Sequence, residues 1–278
     1  MNLKIILLIV SFHFITIGFS QNGKLDNAKK KLNQKTELTS TSITNSTTKN
    51  KSKKGKVRNY DNPLVDILYK MTLGLVYGIA IESNYEKNTK MHNAKISHYP
   101  YKDLSNIGNY TYTDSTNYAL ARLDISNNFI LESKNLFGND LVINYKYNRF
   151  DFAVNYSELL EKVENKTTNF SLISAMVNYH RIRSQKLDIW FGLGISHVAN
   201  NVNKSGFTFG VGGEWFVKKP LSLLVSSKFS SINSESINST KILLKYHIKK
   251  YYISSGYQNY NLANSTINAY SLGFGISF

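Results

Sequence analysis

The sequence predicts an all-β protein: an antiparallel up-and-down transmembrane β-barrel of ten to twelve strands, preceded by a disordered N-terminal linker. Apolar side chains alternate with small or polar ones over most of 120–278, and turn residues separate the alternating segments. The chain has 278 residues with 19 tyrosines, 15 phenylalanines and only 3 prolines. Many aromatic residues and few breakers favour strands over a disordered chain.

The last segment of the chain shows the alternation most clearly. One face is apolar, and the other carries only small or polar residues, namely Ala269, Ser271, Gly273, Gly275 and Ser277. The same pattern recurs at 141–147, 149–156, 187–196, 207–214, 221–230 and 241–248. It is weaker at 251–260, and at 169–181 either face could be the apolar one. These segments predict a series of β-hairpins.

The connections between these segments also alternate in length. Tight turns are predicted at 148, 182–186, 218–220 and 249–250, and longer polar loops at about 158–168, 199–206, 231–238 and 261–267. Short turns at one end and longer loops at the other are typical of outer-membrane barrels.

The number of strands depends on segment 118–133. As one long strand, with Leu123 and Phe129 on the same face, it gives ten strands and leaves 72–82 as an extra element. As a hairpin that turns at Asn127-Asn128, it gives twelve strands, because 72–82 then joins the barrel. We favour twelve, since 72–82 alternates cleanly and 84–115 then becomes a long external loop.

A soluble β-sandwich shows the same alternation, so periodicity alone does not exclude it. Three features favour the membrane barrel. The polar faces are rich in glycine and serine, which suits a crowded lumen, and the aromatic residues lie on the apolar faces, often near strand ends. Apolar residues also occupy every second position up to Phe278.

The N-terminal residues predict export. A positive end with Lys4, an apolar run over 5–17 and the small residues Gly18 and Ser20 indicate a signal peptide at 1–20. Residues 21–60 are predicted to be a disordered basic linker, too polar to bury a core, and 61–278 the barrel, which begins with a short helix at 63–71. No later segment has about 18 uncharged apolar residues, which a spanning helix needs. An exported membrane protein of this kind would lie in the bacterial outer membrane.

The end of the chain resembles the C-terminal strand signal of outer-membrane barrels, which the barrel-assembly machinery reads. The residues that carry this resemblance are Tyr270, Leu272, Phe274, Ile276 and Phe278. Residues 120–278 also resemble small porin-like Gram-negative barrels of uncharacterised family, through Gly192-Leu193-Gly194 and the turn at 216–221. The resemblance implies outer-membrane lipid and the assembly machinery as partners.

Composition restricts the other partners and the chemistry. The formal net charge is +16, and the basic linker could bind an anionic cell-wall or lipid surface, whereas export makes nucleic acid an unsuitable partner. The absence of cysteine excludes disulfides and thiolate chemistry. No cofactor motif is present, and no histidines have metal-ligand spacing.

Charged residues on the small or polar faces are the candidate site, a lining of the lumen. They are Arg122, Asp124, Asp151, Asp188, Glu214, Lys228, Lys241, Lys245 and His247. Such charges could select among solutes, or they could pair into a network that fills a narrow barrel. We favour the network.

Three functions remain open on the sequence alone. The first is a porin-like or structural barrel that passes or binds small solutes. The second is an adhesin-like barrel that acts through its external loops, especially 84–115. The third is a lipid-modifying enzyme, for which His197 beside Ser196, or His92 and His98 with loop serines, would be the only candidates. No catalytic motif supports the third.

Overall fold

Ten antiparallel strands form a closed barrel in the computed structural model, which describes residues 23–34, 91–102, 106–112 and 118–278. The elements are α1 (Lys24–Asn33), a short 3-10 helix (Met91–Asn93), the short strands β1 (Lys95–Ser97), β2 (Tyr110–Thr111) and β3 (Tyr118–Ala119), and the barrel strands β4 (Ala121–Leu131), β5 (Leu136–Tyr147), β6 (Phe150–Val163), β7 (Lys166–Arg183), β8 (Leu187–Val198), β9 (Lys204–Lys218), β10 (Leu221–Ile232), β11 (Glu235–Ile248), β12 (Tyr251–Leu262) and β13 (Ser265–Ser277). Each barrel strand pairs with its neighbours in sequence, and β13 pairs with β4 to close the ring.

The favoured prediction of twelve strands is wrong, and the ten-strand alternative is confirmed. Segment 118–133 contains the single long strand β4, and no hairpin turns at Asn127-Asn128. Those two residues pair with Leu141 and Asp140 of β5 in an unbroken ladder. The signal peptide, the helix at 63–71 and the strand at 72–82 lie outside the described residues.

Connections are short at both ends of the barrel. We call one end the helix end, where the connections are 132–135, 164–165, 199–203, 233–234 and 263–264, and the other the C-terminal end, where they are 148–149, 184–186, 219–220 and 249–250. The four predicted tight turns are therefore present, but the four longer polar loops are wrong. Most of their residues continue the strands to turns of two to five residues.

The outside of the barrel carries an apolar belt. Large apolar side chains on every strand are widely exposed, for example Ile195 at 63%, Phe274 at 52% and Val177 at 45%. Exposure of such a continuous apolar surface to water is unfavourable, whereas a surface that contacts the hydrocarbon of a bilayer has to be apolar. The strands have 11 to 18 residues, enough to cross a bilayer at the usual tilt. The barrel therefore spans a membrane.

The belt ends before the strands do. On the outer face of β11, apolar residues extend from Ile248 to Ile242, and Thr240, Asn238 and Ser236 then follow toward the helix end. Outward residues of β12 and β13 change in the same way, at Asn259, Asn261, Asn268 and Thr266. The helix end thus protrudes from the membrane into water. This protrusion explains the wrong loop predictions, because the polar residues mark where strands leave hydrocarbon and not where they end.

The polarity of the inner face also changes along the barrel axis, in the opposite direction to that of the outer face. Inside the membrane section, the lumen is lined by charged, amide, hydroxyl and glycine residues. At the helix end, the inward positions become apolar and pack against α1, forming one buried cluster. Its wall residues are Ile130, Leu136, Leu159, Phe170, Leu172, Val198, Val202, Ile232, Ile237, Tyr260, Leu262, Ile267 and Ala269. The helix end is therefore built like a soluble barrel, with a polar outside and an apolar inside.

Helix α1 closes the helix end. Leu25, Ala28 and Leu32 recur at helical spacing and are completely buried among the apolar wall residues, and Lys29 is also buried. This helix corrects the prediction of a disordered linker over 21–60, at least for Lys24–Asn33. A short apolar stripe in a polar stretch is ordered here because a distant part of the chain provides its partner surface.

The C-terminal end is closed by the chain that precedes β4. Strands β1, β2 and β3 form a small antiparallel sheet, and Ile96 and Tyr110 are buried with Ala94. The barrel thus begins at Ala121 and not at residue 61. The expectation that 84–115 is a long external loop is also wrong, because its described part packs into the mouth of the barrel and does not join two barrel strands.

No helix in the described ranges is long and apolar enough to cross a membrane.

We expect a positive charge on the belt to destabilise the barrel according to depth. Leu244→Arg, in the middle of the apolar run of β11, should lower the free energy of unfolding in lipid vesicles by about 2–4 kcal/mol. Asn238→Arg, on the same face but beyond the belt, should change it by about 0–1 kcal/mol. Urea titration of both variants checks this expectation, and equal effects would contradict the limits of the belt.

Candidate functional site

The lumen contains a cavity of about 150 Å³ between two seals that the chain itself provides. We call α1 the helix seal, and the described residues of 91–119 the sheet seal. Polar groups from nine of the ten barrel strands surround the space, and Val142, Met176, Trp190 of β8, Leu224 and Leu243 form its apolar portions. This closed lumen is the candidate functional site.

The helix seal is attached to the wall through its first turn. The Glu161 carboxylate accepts hydrogen bonds from the backbone N–H groups of Gly23 (2.9 Å), Lys24 (3.0 Å) and Leu25 (2.8 Å). These groups have no partners within the helix, and a carboxylate also suits the positive end of the helix dipole. Lys24 Nζ lies 2.8 Å from Glu132 Oε1. One wall residue therefore provides the cap that α1 lacks in its own sequence.

The rest of α1 is held by weaker polar contacts around its apolar face. Asn233 Nδ2 donates to the carbonyl oxygen of Leu32 at 2.7 Å, near the end of the helix. The hydrogen bond from Lys30 lowers the pKa of Asp26, and burial lowers the pKa of Lys29. Lys29 contacts Asn169 only at 3.4 Å. The seal thus depends mainly on apolar packing and on Glu161.

The sheet seal is joined to the wall by Arg122. Its guanidinium donates to the carbonyl oxygen of Ser97 (3.0 Å) and to Asn109 Oδ1 (2.6 Å), both in the seal, and to Asp124 Oδ2 (2.9 Å) on the wall. Only 2% of Arg122 is exposed. A buried guanidinium needs such a full set of acceptors.

A second wall group meets the seal at Asp188. Asp188 Oδ2 accepts from Asn109 Nδ2 at 2.7 Å, and Asp188 Oδ1 lies 2.5 Å from His180 Nδ1. Arg183 donates to the carbonyl oxygens of Met91 (3.2 Å) and His180. Carboxylate, imidazole and guanidinium thereby form one network across the mouth.

Close packing completes the sheet seal. A side chain on Gly108 would lie only 2.2 Å from the ring of Phe216, so glycine is required where the seal crosses the wall. Tyr101 packs edge-on against Phe216 and His247, with ring centroids 5.7 Å and 5.4 Å away. The Tyr101 hydroxyl donates to the carbonyl oxygen of Leu221 at 2.5 Å. The mouth is therefore filled as well as hydrogen-bonded.

A serine, a histidine and a glutamate meet below Tyr101, but not as a catalytic triad. Ser222 Oγ lies 2.8 Å from His247 Nε2 and 2.7 Å from Glu214 Oε1. In a triad, the carboxylate orients the histidine through its other nitrogen. Here Glu214 contacts the serine itself, Lys245 (3.1 Å) and the same nitrogen Nε2 (3.9 Å). The arrangement is that of an ion-pair network.

A third charged group lies in the middle of the lumen. Asp140 Oδ1 accepts from Asn155 Nδ2 (2.7 Å) and Ser157 Oγ (2.6 Å), and its Oδ2 accepts from Lys241. Lys228 donates to Asn155 Oδ1. The ammonium groups of Lys228 and Lys241 therefore both lie near the single carboxylate of Asp140.

The structure places the nine predicted lumen residues inside the barrel wall, in these three groups. Arg122, Asp124 and Asp188 meet at the sheet seal, with Asp151 3.7 Å from His180. Glu214, Lys245 and His247 form the second group, and Lys228 and Lys241 belong to the third. Whether these residues select solutes stays a prediction.

Sequence reasoning missed Asp140, Lys146, His180 and Arg183 as members of the site. The alternation of β5 could have found Asp140 and Lys146, whereas the sequence of β7 does not show which face, and so whether His180, points inward. Arg183 has the wrong parity, because a β-bulge between His180 and Ile182 shifts the register and pairs Arg183 with Asp188. No sequence signal marks that bulge.

His197 and Ser196, one of the predicted sets of enzyme candidates, do not come together. His197 Nδ1 contacts Ser205 at an exposed position, 2.9 Å away, and not Ser196, whose hydroxyl lies inside the barrel. Within the described ranges, no three histidine, cysteine or acidic residues could hold a metal ion. His92 has no described side chain.

No family model and no curated protein matches the chain. Solved structures that resemble it include the porin NanC, with 8% identity over 55% of this chain and 98% of that one and a TM-score of 0.38. An outer membrane channel from Pseudomonas putida F1 has 7% identity over 59% and 98%, with a TM-score of 0.38. The outer membrane protein Ail of Yersinia pestis has 12% identity over 57% and 99%, with a TM-score of 0.33.

Similarities at this level carry no argument about activity, so the classification depends on the chain's own geometry. An even number of antiparallel strands, full closure, an apolar outer belt and a polar lumen are the defining features of outer-membrane barrels. The chain is a transmembrane β-barrel of the outer-membrane type.

Removal of the Arg122 guanidinium should release the sheet seal. Arg122→Met leaves the buried Asp124 with Lys146, at 3.7 Å, as its remaining cation and removes two hydrogen bonds to the seal. We expect a loss of about 3–5 kcal/mol in unfolding free energy, with faster hydrogen exchange at Ser97 and Asn109. Lys218→Met, at an exposed position, is the control. A loss below about 1 kcal/mol would show that the seal does not depend on this residue.

Proposed function

We propose that this outer-membrane barrel binds and passes small polar solutes through a lumen that its own N-terminal segments keep closed. The observation that carries the proposal is the polar cavity between the helix seal and the sheet seal. A pore without seals would be open in this structure, and a purely structural barrel could be filled by wall side chains alone.

The two seals are attached differently, which supports control of passage. The sheet seal leads directly into β4 and uses buried ion pairs, whereas α1 is a separate element that presents three apolar residues and one capped end. Among described contacts, α1 bonds to side chains of the protruding section, outside the belt. The helix seal is therefore the one that can leave at the smaller free-energy cost.

The other functions have less support. An adhesin-like role would need long outer loops, and the described connections between barrel strands have at most five residues. An enzyme would need a reactive group with a positioned base, and the Ser222–His247–Glu214 arrangement does not provide one. Binding of outer-membrane lipid, recognition of Tyr270, Leu272, Phe274, Ile276 and Phe278 by assembly machinery, and attraction of the basic stretch to an anionic surface stay predictions.

Release of both seals should open the lumen. The native chain is expected to give no steady conductance in planar bilayers. Ala28→Asp places a charge in the apolar cluster, and Asn109→Ala removes the amide that joins Arg122 to Asp188. We expect the double variant to conduct, and Ala28→Asp alone to open only the helix end. Asn27→Asp adds the same charge on the exposed face of α1 and is the control.

Access to the cavity can be measured separately, because the chain has no cysteine. Ser226→Cys places one thiol in the cavity wall, where a small methanethiosulfonate reagent should label it at least about tenfold faster in the Ala28→Asp background than with intact α1. If the folded double variant neither conducts ions nor is labelled, the barrel is permanently filled and structural. Conductance by the native chain would contradict the claim that the two seals close the lumen.

A further inference from the structure

Lys228 is a charged group of the described lumen that has no carboxylate partner of opposite charge. It lies on the inner face of β10, lines the cavity and donates to the neutral amide oxygen of Asn155. No carboxylate of the described residues lies within 4.0 Å of its ammonium group, whereas Lys241 and Lys245 each have one. An ammonium group in a low-dielectric lumen is unfavourable without a counter-charge.

The charges of the whole described lumen show where the excess lies. Toward the sheet seal, four lysine and arginine cations (Arg122, Lys146, Arg183 and Lys245) face four carboxylates (Asp124, Asp151, Asp188 and Glu214), and the imidazoles of His180 and His247 lie among these carboxylates. In the middle, Lys228 and Lys241 face Asp140 alone. Both oxygens of Asp140 are already occupied, by Asn155 and Ser157 on one side and Lys241 on the other. One positive charge therefore remains, and it lies at the cavity.

The surroundings of Lys228 suit an anion with a small apolar part. Asn128, Asn178 and Ser226 line the same cavity and carry amide or hydroxyl donors. Trp190, Met176 and Leu243 provide an apolar wall. Gly210 and Gly212 let the Met176 and Trp190 side chains lie close against β9, since a side chain at Gly212 would lie 2.6 Å from the Trp190 ring. A volume of about 150 Å³ accommodates a short-chain carboxylate and no large solute.

We propose that the middle of the lumen is a binding site for a small monovalent carboxylate, with its charge at Lys228 and its carbon chain toward Trp190. The inference rests on the proposed function, because it names the class of solute that the closed lumen takes. Lys228 binds the anion, Asn128 and Ser226 complete its hydrogen bonds, and the paired charges toward the sheet seal leave the anion no stronger position.

Tryptophan fluorescence tests the site in the full chain. Of the two tryptophans, Trp190 lines the cavity and Trp215 is 52% exposed on the belt, so Trp215→Phe leaves a reporter in the lumen only. The detergent-solubilised protein is incubated to equilibrium with propionate, and separately with propionamide, its neutral analogue. We expect a saturable fluorescence change with propionate, and a dissociation constant at least about tenfold higher for propionamide.

Lys228 variants then assign the charge. Lys228→Met should weaken propionate binding by at least about tenfold, whereas Lys228→Arg should largely restore it because the cation remains. Heat-modifiable gel mobility shows that each variant is folded. Equal binding of propionate by wild type and Lys228→Met, or equal binding of propionamide, overturns the proposal.

The labelling of Ser226→Cys separates this failure from a failure of the proposed function. If the thiol is reached but propionate does not bind, the carboxylate site is wrong and a solute pathway remains. If neither propionate nor the thiol reagent enters, even with Ala28→Asp, both proposals are overturned.

Discussion

The alternation of side chains across a closed sheet is the constraint on which the whole molecule depends. Each strand presents every second residue to the lumen, so the composition of the two faces follows from what each face touches at that height. Within the membrane, the outer face meets hydrocarbon and the inner face is polar. In the protruding helix end, the outer face meets water and the inner face meets α1. The reversal occurs within single strands such as β11, without any break in its pairing with β10 or β12.

This reversal connects the membrane fold to the closed lumen. An apolar ring inside the helix end would be exposed to water in an empty barrel, and Leu25, Ala28 and Leu32 remove it from water. The C-terminal end has no such ring, so the sheet seal is held by buried hydrogen bonds and ion pairs around Arg122 and Asp188. The two seals thus differ in physical character because the two ends of the same strands differ in composition.

The extent to which sequence predicts this structure follows from the range of each interaction. Alternation is local, so β13 and most of the other strands could be predicted, including their inward charges. Segment 169–181 was ambiguous because Phe170 and Leu172 face α1, more than 130 residues away in the chain. Polar outward residues near the helix end predict loops where the strands in fact continue, because periodicity does not show whether a strand lies in lipid or in water. The bulge at His180 and the insertion of the N-terminal segments depend on tertiary contacts alone.

The same reasoning decides between a network of charges and a selective lining. A filled structural lumen minimises the free energy of burial when every cation has its own carboxylate, as the groups at Arg122, Asp188 and Glu214 nearly do. Such a network needs no open space. The middle of the lumen differs from such a network in two ways. Lys228 has no carboxylate partner of its own, and the cavity lies beside it. An uncompensated charge and an unfilled volume each lower stability, and a solute that brings an opposite charge and a small apolar body would remove both deficits together. The charge and the space are therefore better explained by one bound anion than by two independent defects of packing.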